Sequence, residues 1–129
     1  IMGNDLRTAT KETIKTLSNK EVIAVNQDKL GIQGFRFTNE NNTEIWLKPL
    51  ENEAWAMTFV NMSDKPIEIN FDWKKHDIGD DVNGKRMELK KNTFKIRDLI
   101  HHKNLGNTTK NLKETIASHD VLMIKLEKN

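Results

Sequence analysis

Several acidic side chains in this sequence could take part in acid–base or nucleophilic chemistry. Asp77, Asp80 and Asp81 cluster after Trp73, and two carboxyl groups held together can act as a nucleophile and a general acid. The cluster lies in a polar stretch that contains glycine, which is typical of a solvated loop. Three further acids fall in separate predicted strands without a pocket pattern: Glu88, Asp98 and Glu114. These acids therefore do not predict a catalytic pair.

The histidines suggest a metal site, because imidazole is a common metal ligand. His101 and His102 are adjacent in the sequence, and His119 follows them. Adjacent residues on a strand point to opposite faces, so His101 and His102 could not hold one ion together. The chain has no Cys, which excludes disulfides and thiolate ligands. We expect surface histidines, no metal site and no cofactor.

The three tryptophans are candidates for stacking against sugar rings. Trp46, Trp55 and Trp73 would have to be exposed in a non-catalytic carbohydrate-binding module. Each of them lies in a predicted strand beside alternating apolar residues, a position that is typical of a core. Their burial therefore discriminates a binding module from a structural domain.

Composition excludes two classes of partner. Lys and Arg number 21 against 19 Asp and Glu, so the net charge is +2, and the charges alternate in sign along the chain. No basic block predicts nucleic-acid binding, and no apolar run approaches the roughly 20 residues of a membrane helix. The first residues, Ile1–Asp5, do not have the pattern of a signal peptide, and the compartment remains open.

Helical signals occupy residues 10–27, and we predict two short helices joined at Ser18. Ser18 and Glu21 fit a capping box, in which Ser18 accepts from a backbone amide and Glu21 reaches back. Gly31 then provides a C-terminal stop in the left-handed conformation.

After Gly31 the apolar period changes from about 3.6 to 2, which predicts β-strands. The alternating runs are Trp55–Phe59, Ile67–Trp73, Phe94–Arg97 and Leu122–Leu126. Turn residues separate them at Asn39–Asn42, Glu51–Glu53, Ser63–Pro66, Asn83–Gly84 and Leu105–Asn107. We expect about seven or eight antiparallel strands in a sandwich or a partly closed barrel. Pro49 should mark an edge strand or the end of its strand.

Segments spread over the whole chain resemble one enzyme family. These segments are Ile1–Arg7, Asn19–Gly31, Trp46–Leu50, Phe59–Asp64, Arg97–Leu99, His102–Gly106 and Val121–Leu126. The first two resemble the last barrel strand and helix of glycoside hydrolase family 27, the α-galactosidases or melibiases. The others resemble the C-terminal β-domain of that family.

The resemblance implies an α+β chain that is mainly β. Residues 1–30 would be the remnant of the last strand and helix of a TIM barrel, and residues 31–129 an antiparallel two-sheet β-sandwich. Family members are retaining glycosidases, which need two carboxylates about 5 to 5.5 Å apart, and in the family both lie on earlier barrel strands. A single βα unit cannot close an eight-stranded barrel. The resemblance thus implies a domain that supports the barrel of an enzyme hydrolysing terminal α-D-galactosyl residues, and that is not catalytic in isolation.

The resemblance also points to candidate site residues. Residues just after a barrel strand lie at the face where active sites form, so Asn4, Asp5 and Arg7 would lie near the mouth of the sugar pocket. The alternative is a structural strand-to-helix turn. Arg97–Asp98 could form a buried pair that links the β-domain to the barrel, or an exposed cross-strand pair of small energetic value.

The partners follow from the same resemblance. The barrel domain of the same parent chain would contact the β-domain, and a galactoside would bind only in the intact parent, which we expect to be secreted or periplasmic. The preference between galactose and N-acetylgalactosamine stays open. A different class of function is an interaction domain that dimerises through an exposed apolar helical face, formed by Ile14, Leu17, Val22 and Ile23.

Overall fold

The computed structural model describes residues 19–128. Within this range there is one α-helix, α1, at Lys20–Asn26, and the first of the two predicted helices lies outside the described residues. The strands are β1 Phe35–Glu40, β2 Thr43–Pro49, β3 Trp55–Asn61, β4 Ile67–Phe71, β5 Ile78–Asp80, β6 Lys85–Met87, β7 Phe94–Asp98, β8 Lys103–Asn107, β9 Leu112–Ile116 and β10 Val121–Lys128. The described part thus has ten strands against the seven or eight expected. The three-residue strands β5 and β6 are too short to show a period in the sequence.

The strands form an antiparallel sandwich. A six-stranded sheet has the order β1-β2-β3-β10-β7-β8, and two-stranded sheets β4-β9 and β5-β6 accompany it. β10 comes last in the described sequence but lies between β3 and β7. The large sheet is therefore complete only when its final strand has been inserted.

The main core lies on the inner face of the six-stranded sheet. Trp55, Met57 and Phe59 alternate along β3 and are at most 2% exposed, which confirms the predicted face. Phe71 of β4 meets Phe59 edge-on, with ring centroids 5.7 Å apart. Apolar burial on this scale stabilises the fold by about 1.5–3 kcal/mol for each large side chain.

Several sequence predictions of local structure are confirmed. β2 ends at Pro49, although β2 pairs with both β1 and β3 and is not an edge strand. Gly31 has a φ of +67°, as a helix stop in the left-handed region requires. Asn41 and Asn42 also have positive φ at the β1–β2 turn, a conformation that asparagine tolerates better than most residues.

Two predictions of local structure are wrong. Leu105–Asn107 is not a turn but the end of β8, and the turn follows it. The pairing with β7 shifts register here, so two residues of β8, Leu105 and Gly106, oppose one of β7. Gly106 with φ +90° serves this bulge inside a strand. Trp73 is buried as expected, but it lies in a 3-10 turn, Trp73–Lys75, beyond the end of β4.

Candidate functional site

The start of α1 is fastened to the sandwich by its capping residue. Asn19, and not Ser18, is the N-cap: its Oδ1 accepts from the amides of Glu21 at 3.0 Å and Val22 at 3.3 Å. The Asn19 Nδ2 donates to the carbonyl of Leu99 at 2.8 Å. The predicted capping box fails because the Glu21 side chain is engaged elsewhere. One asparagine therefore both caps the helix and joins it to the β7–β8 corner.

Glu21 is the centre of a charged cluster between α1 and the sandwich. Arg97 binds it through two bonds, Nη2 to Oε1 at 2.9 Å and Nε to Oε2 at 3.2 Å. His102 Nδ1 lies 2.8 Å from the same Oε1, and Arg97 Nη1 donates to Asn104 Oδ1 at 3.2 Å. We call these four residues the helix clamp. The hydrogen bonds from Arg97 and then His102 lower the pKa of Glu21 from its ordinary 4.5 to about 2, and the bond to Glu21 raises the pKa of Arg97.

Apolar packing reinforces the clamp. Val22 and Val25 of α1 are buried in a second, smaller core with Leu50, Ala54, Ala56 and Leu99. Asp28, after the helix, accepts from the amides of Leu30 at 3.0 Å and Glu51 at 2.9 Å. The helical segment thus contacts the sandwich from Asn19 to Asp28.

The predicted partnership of Arg97 with Asp98 is not formed. Asp98 is 2% exposed and accepts from the amides of Ile100 at 3.0 Å and His101 at 3.1 Å, with His101 Nδ1 2.9 Å from its other oxygen. Arg97 instead joins Glu21, which lies 76 positions earlier. The sequence analysis predicted either a buried Arg97–Asp98 pair or an exposed cross-strand pair. Neither prediction is correct.

The histidines do not converge on one ion. His101 and His102 lie in the turn between β7 and β8, not on a strand, and each faces a different carboxylate. His119 Nε2 lies 2.7 Å from Asp64 Oδ1. Within residues 19–128, no group of three His, Cys, Asp or Glu side chains is arranged to hold a metal ion. No helix in the same range is long and apolar enough to cross a membrane.

The acidic cluster after Trp73 is divided between two structural roles. Asp77 and Asp81 are mostly exposed and bind the two terminal nitrogens of Arg86 at 2.8 and 2.9 Å. Asp80 is buried and accepts from the amides of Val82 and Asn83 and from the Asn83 side chain. These carboxylates hold the β5–β6 hairpin. The remaining candidates, Asn4, Asp5 and Arg7, lie outside the described residues.

Tryptophan burial separates the three candidates for sugar stacking. Trp55 and Trp73 are 2% and 1% exposed, whereas Trp46 is 41% exposed. Trp46 points away from the main core, and its cross-strand partner is Thr58, which in turn pairs with Met123. Val60 and Val121 form the next pair on this side. We call these five half-buried or exposed residues the outer face.

Asn61 is a structural residue whose role was not predicted from the sequence. Its side chain is fully buried at the end of β3, and its Nδ2 donates to the carbonyls of Lys65, Ile116 and Ala117 at 2.8 to 3.1 Å. Its Oδ1 accepts from the amide and hydroxyl of Ser63. One amide therefore connects β3 with the end of β9, and its partners there, Ile116 and Ala117, lie 55 and 56 positions along the chain and leave no local pattern.

Comparison with known proteins agrees with this architecture. The family model described as the α-galactosidase C-terminal β-sandwich domain matches residues 40–126. The chain is 37% identical over 126 residues to α-galactosidase A of Cellvibrio japonicus, covering 98% of the chain and 31% of that enzyme.

Solved structures share the fold. α-Galactosidase I of Mortierella vinacea matches with a TM-score of 0.72 and 24% identity, over 96% of this chain and 30% of that one. A family 27 β-L-arabinopyranosidase of Geobacillus stearothermophilus matches with a TM-score of 0.69 and 23% identity, over 95% and 25%. The chain spans about a third of the length of the curated relatives it matches. With a sandwich of this topology and a family match over most of its length, the chain belongs to the family of α-galactosidase C-terminal β-sandwich domains.

Proposed function

We propose that this chain is the C-terminal part of a retaining α-galactosidase and that its sandwich stabilises the catalytic barrel without supplying a catalytic group. The observation that carries the proposal is the family match over residues 40–126, together with the small share of each relative that the chain covers. Hydrolysis with retention needs a nucleophile and an acid/base carboxyl group on opposite sides of the sugar. On this proposal both belong to the rest of the enzyme.

The carboxylates of the described residues support a structural role for the sandwich. A general acid needs a raised pKa, whereas the pKa of Glu21 is lowered by its bonds to Arg97 and His102. Asp80 and Asp98 are buried, and their oxygens are occupied by backbone amides and neighbouring side chains. A carboxylate held in this way is a structural group.

The outer face is the surface we assign to the barrel. It lies beside the second core under α1, because Met123 packs against that core and also pairs with Thr58 of the outer face. An exposed tryptophan next to half-buried valines forms an apolar patch of the kind that marks an interface. We therefore place the barrel over α1 and the outer face together.

The packing of α1 also bears on the domain boundary. The sequence predicts a boundary between residues 1–30 and 31–129, which assigns the helix to the barrel. The helix clamp and the second core favour a unit that includes α1, so that the helix moves with the sandwich.

The sugar specificity belongs to the barrel on this proposal. We propose terminal α-D-galactosyl residues, because the curated relatives are α-galactosidases. The Geobacillus neighbour is a β-L-arabinopyranosidase in which part of the chain has the same fold. Asn4, Asp5 and Arg7 remain candidates for the mouth of the sugar pocket.

The two alternative functions, a carbohydrate-binding module and a dimerising interaction domain, have less support. A binding module built on three tryptophans is left with Trp46, because Trp55 and Trp73 are inside. A dimer through the helical face would use Val22, which is buried on the sandwich instead. Gel filtration over a range of concentrations tests the dimer, and a constant monomer would eliminate it.

The proposal is tested with p-nitrophenyl α-D-galactopyranoside. The chain alone should release no p-nitrophenol above buffer, whereas the product of the reading frame extended upstream of Ile1 should hydrolyse the substrate with retention. Hydrolysis by the isolated chain would refute the proposal, and so would an extended product without barrel strands that carry aspartates.

A further inference from the structure

An open cleft of about 470 Å³ lies at one edge of the sandwich, between the β1–β2 hairpin and β4. β1 ends the six-stranded sheet, and β4 pairs with β9 alone, so the two sheets separate here without a strand between them. Ile45, Phe59 and Phe71 lie beneath the cleft and are at most 9% exposed. The half-buried Ile67 and Ile69 of β4 give its floor an accessible apolar surface. We call it the edge cleft. Its volume lies within the range of small-molecule sites, roughly 300–1,000 Å³.

Hydrogen-bonding groups surround this apolar floor. The polar lining residues are Thr38, Asn41, Thr43, Glu68, Asn70 and His76. Two hydroxyl groups, two amides and an imidazole can donate or accept. The Thr43 hydroxyl makes a long contact of 3.5 Å with the carbonyl of Asn41, so it can readily exchange that contact for a ligand.

The position of His76 is fixed by two aromatic contacts. Its ring is stacked on Phe71, with centroids 4.2 Å apart and planes 10° from parallel. The ring of Phe37 approaches His76 edge-on at 6.2 Å. A fixed ring loses little conformational freedom when it binds a ligand.

The charges of the lining restrict the class of ligand. Among the described residues that line the edge cleft, none is Lys or Arg, and Glu68 is the acidic one. An anionic ligand would meet a carboxylate without a compensating cation, which disfavours phosphates and acidic peptides. A neutral ligand with both an apolar surface and several hydroxyl groups satisfies the floor and the rim together.

We propose that the edge cleft binds a pyranose sugar. A pyranose presents C–H groups on the face of its ring and hydroxyl groups around the perimeter, which matches the aliphatic floor at Ile67 and Ile69 inside a rim of hydroxyls and amides. The site binds and performs no covalent step. It is independent of the hydrolysis proposed above, because no residue of the cleft is assigned to catalysis.

The proposal is tested by titrating the ¹⁵N-labelled chain with methyl α-D-galactopyranoside and following ¹H–¹⁵N spectra. The expected result is saturable shifts at Thr38, Thr43 and Asn70, with a dissociation constant of about 1–10 mM. Thr43→Val keeps the shape of the side chain and removes its hydroxyl, so affinity should fall about three- to tenfold. Thr38→Val provides a second variant with the same expectation.

The matched control is Thr109→Val, in a cleft at the opposite edge that is lined by β8 and β9 residues and includes two lysines. This variant should bind the sugar as the parent chain does. Non-saturable shifts, shifts reproduced by glycerol, or equal effects of Thr43→Val and Thr109→Val would each overturn the proposal. Such a failure would leave the α-galactosidase assignment intact, because that assignment is tested by hydrolysis.

Discussion

Replacing Glu21 with Gln tests whether the helix clamp stabilises the sandwich. The substitution keeps the size of the side chain but removes the charge that Arg97 and His102 share. A pKa lowered from 4.5 to about 2 corresponds to about 3 kcal/mol at most. The side chains of Glu21 and Arg97 are 31% and 33% exposed, so solvent screening reduces the expected loss to about 1–2 kcal/mol at pH 7.

The loss of stability caused by Glu21→Gln should depend on pH. The pKa of Glu21 is lower in the folded state than in the unfolded state, so its contribution is complete above pH 4.5 and is lost as the pH falls toward 2. Urea unfolding at a series of pH values should show a difference between the parent chain and Glu21→Gln that shrinks through this window.

Glu88→Gln is the control, because Glu88 is 53% exposed and pairs with Lys91 at 3.5 Å. Its effect should stay within about 0.5 kcal/mol at every pH. A loss for Glu21→Gln that does not change with pH, or no loss at pH 7, would refute the proposed role of the ionised clamp.

Three further substitutions test the sandwich itself. Asn61→Ala leaves the carbonyls of Ile116 and Ala117 without their donor and should lower the free energy of unfolding by about 2–4 kcal/mol. Asn107→Ala, at the end of β8, removes only local bonds from Thr109 and should lower it less; equal urea midpoints would contradict this. Phe59→Ala removes a fully buried ring and should lower the free energy of unfolding by about 3–5 kcal/mol. Calorimetry measures this loss, and a value below about 1 kcal/mol would contradict the prediction. Gly106→Ala places a side chain at a residue with φ +90° and should lower the free energy of unfolding by about 1–3 kcal/mol. The cause is backbone strain, because nothing lies within 4 Å of the added Cβ. An unchanged melting temperature would show that the bulge does not need glycine.

Features set by neighbours in the sequence were predictable from it. The alternation in Trp55–Phe59 and Leu122–Leu126 predicts both the strands and the buried faces, because side chains on a strand alternate sides. The stop at Gly31 follows from the conformational freedom of glycine.

Features set by distant residues could not be predicted in the same way. The position of β10 between β3 and β7 depends on pairings over long separations. Glu21 has an equally good local role in a capping box, and its actual partner, Arg97, lies 76 residues away. The wrong turn at Leu105–Asn107 has a related cause, because a glycine with positive φ serves a bulge as well as a turn. The edge cleft arises where two sheets diverge, which no sequence pattern reports.

On the proposed function, the sandwich supports a catalytic barrel and takes no part in the chemistry. Trp46→Ser in the extended enzyme tests this role most directly, because Trp46 is 41% exposed on the outer face; the same substitution in the isolated chain measures what it costs the sandwich alone. We predict an unchanged kcat for α-galactoside hydrolysis and a shorter half-life of activity on heating. A reduced kcat with an unchanged half-life would contradict the account.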